Sequence, residues 1–132
     1  MSPEKSEQLV AIYPELFSNP SDKSCINLFG FECGDGWFEL LKDLLIKLKE
    51  LGKKNIKGQC GFDDDLEYPP RVIQIKEKYG SLRFYLDWET EEISELIREA
   101  EGKSRQTCER CGEPGSIEKR GGWYSCLCDK CQ

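Results

Sequence analysis

Four of the eight cysteines in this chain fall into two pairs, Cys108 with Cys111 and Cys128 with Cys131, each pair spanning two intervening residues. Sixteen residues separate the pairs. No other feature restricts the fold so tightly. Two intervening residues let the chain turn sharply, so both sulfurs of a pair converge while backbone amides point at them. Paired knuckles at this separation match the spacing of a zinc ribbon. Gly112 follows the first knuckle, where a missing side chain permits close backbone approach. Ile117 to Lys119, Gly121-Gly122 and Trp123 to Ser125 read as a hairpin carrying the chain from one knuckle to the other.

Four thiolates fill the tetrahedral shell of one zinc ion and leave no position for water or substrate, which predicts a structural site. The metal with its ligands carries a charge of about −2, which Arg110, Lys119, Arg120 and Lys130 can offset. Zinc binding in such small units contributes on the order of 10–16 kcal/mol, enough to order a segment too small for its own core. A disulfide framework is the competing reading. The opening MSPEKSEQLV lacks the apolar run of a secretory signal, which favours reduced thiols and a cytoplasmic setting. Cys126 can replace Cys128 as ligand only by spoiling the second knuckle. Cys25, Cys33 and Cys60 share no ligand spacing, and burial as small apolar residues is their expected role.

The residues before the ribbon predict an α+β body over 1–106, with the ribbon at 107–132. Ser2-Pro3-Glu4 opens a helix over about 3–13, with a hydroxyl cap and a proline in the first turn. Leu9, Ile12 and Tyr13 form its stripe, and Pro14 ends or kinks it. Residues 18–33, including Asn19-Pro20-Ser21-Asp22, read as an irregular connection. Trp37, Leu41, Leu44, Leu48 and Leu51 recur at helical spacing and define a helix over about 36–51, capped by Asp35 and stopped by Gly52. Lys42, Lys47 and Lys49 take its wet face. The period then shortens to two. Val72, Ile73 and Ile75, followed by Leu82, Phe84, Leu86 and Trp88, give a β-hairpin over about 71–88 that turns at Tyr79-Gly80-Ser81. Thr90 opens a last helix over about 91–102, with Ile93, Leu96, Ile97 and Ala100 inward and Gly102 at its end. An isolated hairpin is marginal in water, so the helices must cover its apolar face. The richest apolar stretch, Leu40 to Leu51, is broken by charges, and no membrane span is expected.

Charge and composition narrow the function. The net charge of −6 disfavours a general polyanion binder. The absence of histidine removes Ser-His-Asp and Cys-His catalysis and every histidine-ligated metal. Three readings follow. The first is a zinc-stabilised module that binds another protein through some of Trp37, Tyr79, Phe84, Tyr85, Trp88, Trp123 and Tyr124, although the same aromatics can wedge the core together. The second is single-stranded nucleic-acid binding. Lys76, Lys78 and Arg83 flank Tyr79 and Tyr85, and Arg110, Lys119, Arg120 and Lys130 surround Trp123 and Tyr124. Acids on the same strands make a solvated, salt-bridged face the plainer account. The third is an enzyme collecting magnesium on Asp63, Asp64, Asp65 and Glu67, a run more often seen as a solvated loop. No glycine-rich phosphate loop or nucleophile elbow is present. The glycines of GDGW read as helix-start residues.

Three segments, FGFECGDGWFELL, IQIKEKYGSLRFYL and TCERCGEPG…GGWYSCLCDKC, together resemble a group of small uncharacterised proteins of bacterial genomes, prophages and phages. The resemblance covers about residues 28–132 in the same order. Those proteins read threonine where Cys126 stands, which implies that Cys128 is the ligand and Cys126 a bystander. The resemblance carries no activity. It implies a phage-related accessory protein that acts on a host protein.

Overall fold

The computed structural model describes residues 1–18, 23–55 and 70–132, and of residues 53–55 the backbone alone. The connection at Asn19-Pro20-Ser21-Asp22, the acidic run Asp63 to Glu67 and Cys60 lie outside the described residues. The fold is α+β. Helix α1 spans Pro3–Ile12 and is capped by the Ser2 hydroxyl, which accepts from the amide of Lys5 at 3.3 Å. Pro14 opens a 3-10 turn, Pro14–Phe17, whose Leu16 is fully buried. The stretch expected to be irregular instead holds helix α2, Cys25–Phe29, and a two-residue strand β1, Phe31–Glu32. Both escape periodicity because neither is long enough to show a repeat.

Helix α3 runs from Phe38 to Asn55, preceded by a 3-10 turn over Asp35–Trp37. Gly52 does not stop it. Glycine costs about 1 kcal/mol inside a helix, but here the missing side chain makes room for a neighbour. A Cβ on Gly52 would stand 2.7 Å from the Tyr13 hydroxyl. Asp35 does not cap its own helix. Its carboxylate turns back to α1, accepting from the Ser2 amide at 2.8 Å and facing Lys5 at 3.9 Å.

Strands β2, Val72–Lys78, and β3, Ser81–Leu86, form the expected hairpin, and β1 adds in parallel to β2, so the three-stranded sheet is mixed. A bulge between Val72 and Gln74 lets Val72 and Ile75, three residues apart, both point inward, while Ile73 is pushed outward. Phe31, Ile75, Leu82 and Phe84 share the inner face. They meet Leu9, Trp37, Leu41, Leu44, Leu45 and Leu48 from the helices in one buried core. Helix α4, Glu91–Ser104, closes that core with Ile93, Ile97 and Ala100. It passes Gly102 by two residues because Ser104 has a buried task.

Strand β3 is an edge, and α4 caps its outward amides. Ser104 Oγ accepts from Leu82 N at 2.9 Å, and the Glu101 carboxyl lies beside the Phe84 amide. Burial raises the Glu101 pKa, and Arg83, Arg105 and that amide pull it back. Across the wet seam of α3 and α4, Asp43, Lys47, Glu99 and Lys103 alternate in a half-exposed ring of ion pairs at 3.0–3.6 Å. Such pairs contribute little to stability. Ser104→Ala is the sharper probe of the α4–β3 contact. It leaves the Leu82 amide buried without an acceptor and should cost about 1–3 kcal/mol in urea unfolding.

Candidate metal centre

The ribbon is built from strands β4, Ser116–Arg120, and β5, Trp123–Leu127, paired antiparallel through Gly121 and Gly122. Both turn glycines have positive φ, 57° and 88°, the conformation a tight two-residue hairpin turn requires. The first knuckle, Cys108 to Gly112, closes through Gly112 N donating to Cys108 O at 2.9 Å. Cys131 N to Cys128 O at 3.2 Å closes the second. The two lie side by side because Glu109 N donates to Cys126 O at 2.9 Å, extending the pairing past β5.

This arrangement brings the sulfurs of Cys108, Cys111, Cys128 and Cys131 within 4.8 Å of one another. Cys111 and Cys128 stand 3.5 Å apart. Metal–sulfur bonds of about 2.3 Å in a tetrahedron put sulfurs about 3.8 Å apart, so the four cysteines fit one metal ion. Cys108 is fully buried and Cys111 lies at the exposed rim. Burial alone would raise the Cys108 pKa. The amides of Cys111, Cys128 and Arg110, with the Cys111 thiol, outweigh it and bring the group down to about 6. Those amides are the donors that favour a thiolate, and hence a metal ligand. Hydrogen bonds to the neighbouring thiols of Cys128 and Cys111 push Cys131 up to about 12. Keeping all four contacting sulfurs as thiolates requires a cation.

Cys126 is not part of the cluster. It is fully buried, and its thiol donates to Arg105 O at 3.2 Å. Cys33 is a core thiol, and burial pushes it up to about 12. None of the seven described cysteines forms a disulfide. Among the described residues, no other group of three or more cysteines and carboxylates converges as these four do. Arg110 stays at the cluster, donating to Cys131 O at 3.3 Å. Arg110 and Lys130 therefore do not surround Trp123, which sits at the far end of β5 by the hairpin turn. No described helix is long and apolar enough to cross a membrane.

The seven aromatics divide. Trp37 and Phe84 are core, Trp88 is partly buried against it, and Tyr79, Tyr85, Trp123 and Tyr124 are exposed. Trp123 is 80% exposed.

The cysteine cluster is fastened to the body at the GDGW segment. Glu109 O accepts from Gly36 N at 2.7 Å, Glu109 Oε1 accepts from Gly34 N at 2.9 Å, and Thr107 O accepts from Trp37 Nε1 at 2.9 Å. A Cβ on Gly36 would overlap the Cys108 and Glu109 carbonyls, and one on Gly34 would overlap Glu109 O. These glycines are thus a seat for the first knuckle as well as the start of α3. Sequence reading found the helix start and missed the seat, because no local pattern links residue 36 to residue 108. Comparison with protein-family models, curated proteins and solved structures finds no match.

Gly36→Ala tests the seat. The new methyl meets backbone on both sides, so neither can yield cheaply. We expect a loss of about 2 kcal/mol or more together with faster metal release to a chelator, followed by a colorimetric metal indicator. Gly102→Ala, at a helix position with open space around the would-be Cβ, should leave metal release unchanged.

Proposed function

We propose that this chain is a zinc-stabilised binding module that acts by recognising another macromolecule rather than by catalysis. The observation that carries it is the closed sulfur cluster. Sulfur ligands and tetrahedral spacing select zinc over magnesium or calcium, which take oxygen. A complete set of four protein ligands leaves no open position for a reacting group, so the ion's role is to hold the chain. What it holds is a surface with exposed aromatics at the tips of two hairpins, and aromatics are favoured anchors at interfaces. The three-segment resemblance implies a host protein as the partner in a phage-related setting, and the free ring of Trp123 suits such a contact.

Elemental analysis of the purified chain should give one zinc per molecule. Cobalt substituted at the site should show the absorption of tetrahedral sulfur coordination. Cys108→Ser should lose the metal, whereas Cys126→Ser should retain it and lose only packing. A metal-free chain that keeps its fold in strong chelator, or cysteines recovered as disulfides, would overturn the reading.

A further inference from the structure

The open face of the three-stranded sheet has a chemistry the sequence obscures. Along β2 and β3 the one acid, Glu77, sits between Lys76 and Lys78, so chain order sets it against both. Strand alternation separates them. Lys76 pairs across the sheet with Arg83, Gln74 with Tyr85 and Lys78 with Ser81, and cross-strand partners share a face. That puts Lys76, Arg83, Lys78 and Tyr85 on the side away from the helices. Glu77 pairs with Leu82 on the opposite side, where its carboxylate accepts from Gly80 N at 2.7 Å. The acid that compensates these lysines in sequence does not compensate them in space.

The face continues onto the ribbon. Tyr79 at the β2–β3 turn meets Tyr124 edge to face, with ring centroids 6.5 Å apart. Lys78 holds its ammonium 5.7 Å from the Tyr79 ring centre. Lys119 is the cross-strand partner of Tyr124 and shares its side of the ribbon, while Glu118 lies on the other side, paired to Arg120 at 3.1 Å. Among the described residues, Lys76, Lys78, Arg83 and Lys119 enter no ion pair. Two acids meet the face: Glu32 is the cross-strand partner of Lys76 and accepts from Gln74 Nε2 at 3.1 Å, and Glu101 acts on Arg83 from the β3 rim, where Arg83 also donates to Ser81 Oγ at 2.6 Å and Leu82 O at 3.1 Å. The result is a track of alternating rings and cations about 17 Å long on β3 alone, leading from Tyr85 across Lys76 and Arg83 to Tyr79 and Tyr124.

Tyr79 is held in the left-handed region at φ 54°, where a side chain with a Cβ is disfavoured and Asn or Gly is usual. Its ring is 68% exposed. The turn accepts backbone strain to place an aromatic on the surface. Strain of this kind clusters at functional sites.

We infer that the open sheet face and the adjoining ribbon edge form a binding platform for single-stranded nucleic acid. Phosphates meet Lys76, Lys78, Arg83 and Lys119, and bases stack on Tyr85, Tyr79 and Tyr124. Cations interleaved with aromatic faces are what a flexible polyanion of stacking bases requires. A duplex would leave the rings without bases to stack on. The inference rests on the zinc-stabilised binding reading, and it replaces the host protein implied by the resemblance with a nucleic acid strand.

The test is fluorescence anisotropy of labelled oligo(dT) and oligo(U) with the zinc-loaded full chain. Saturable binding should weaken about twenty- to fifty-fold between about 50 and about 200 mM salt when three or four cations meet phosphates. Tyr85→Ala should cost about ten-fold in affinity, and Tyr85→Phe should retain most of it. Lys76→Gln with Arg83→Gln should weaken binding and flatten its salt dependence, while Lys42→Gln on α3 should change neither. Tyr79→Asn separates the roles of that residue. The thermal midpoint should hold or rise as the turn relaxes, and affinity should still fall. No saturable binding by the folded, zinc-loaded chain, binding indifferent to salt, or binding unaffected by these variants would overturn the inference. So would variants that abolish capture of a host protein yet leave oligonucleotide binding intact. Zinc content, read in parallel, separates the two failures: a folded, metal-free chain that still binds oligonucleotide refutes the metal and leaves the platform standing.

Discussion

The carbonyl of Glu109 and the amide of Gly36 join the two ends of this molecule, and most of its architecture hangs on that contact. On one side lies the first cysteine knuckle. On the other, within two residues, Asp35 anchors the start of α1 and Trp37 enters the centre of the core. A metal ion held by these four sulfurs would therefore fix more than a terminal loop. It would fix the backbone against which α1 and α3 both begin. The two glycines matter because main chain touches main chain there, and a backbone cannot rotate aside as a side chain can.

The sheet shows how a small fold handles its exposed parts unequally. Unpaired strand edges invite pairing with other chains. Here α4 closes the β3 edge with one hydroxyl and one carboxylate, and Met1 N donates to Cys33 O at 2.6 Å beside β1. The outer face is left partly open. Lys78 and Tyr85 stand in solvent, while Lys76 and Arg83 are half-buried, with Glu32 across from Lys76 and Glu101 beside Arg83. A face left open and charged beside edges that are closed is the arrangement expected of a surface that receives a ligand without polymerising.

Much of this was legible from residue order, for identifiable reasons. The knuckles are local: two residues between cysteines dictate a turn whatever surrounds it. The long helix and the β2–β3 hairpin announce themselves because each is long enough to repeat its own period. Legibility failed where partners are far apart or elements short. Strand β1 is two residues long and exists only because β2 lies beside it. Gly52 and Gly102 look like helix stops, yet packing against Tyr13 and the task of Ser104 carry both helices onward, since tertiary contacts outweigh a propensity of about 1 kcal/mol. Asp35 looks like a cap for α3 and instead serves α1.

Residue order by itself determined the two cysteine knuckles, the class of the fold and the lack of histidine, since each follows from residue type and short-range spacing. Only the tertiary structure decided where those parts stand. It seated the knuckle on Gly34 and Gly36, turned Cys126 away from the cluster, and split neighbouring charges between opposite sides of a sheet. The physical reason is that covalent order constrains neighbours along the chain, whereas faces, seats and edges are created when segments some seventy residues apart, such as Gly34 and Glu109, come into contact.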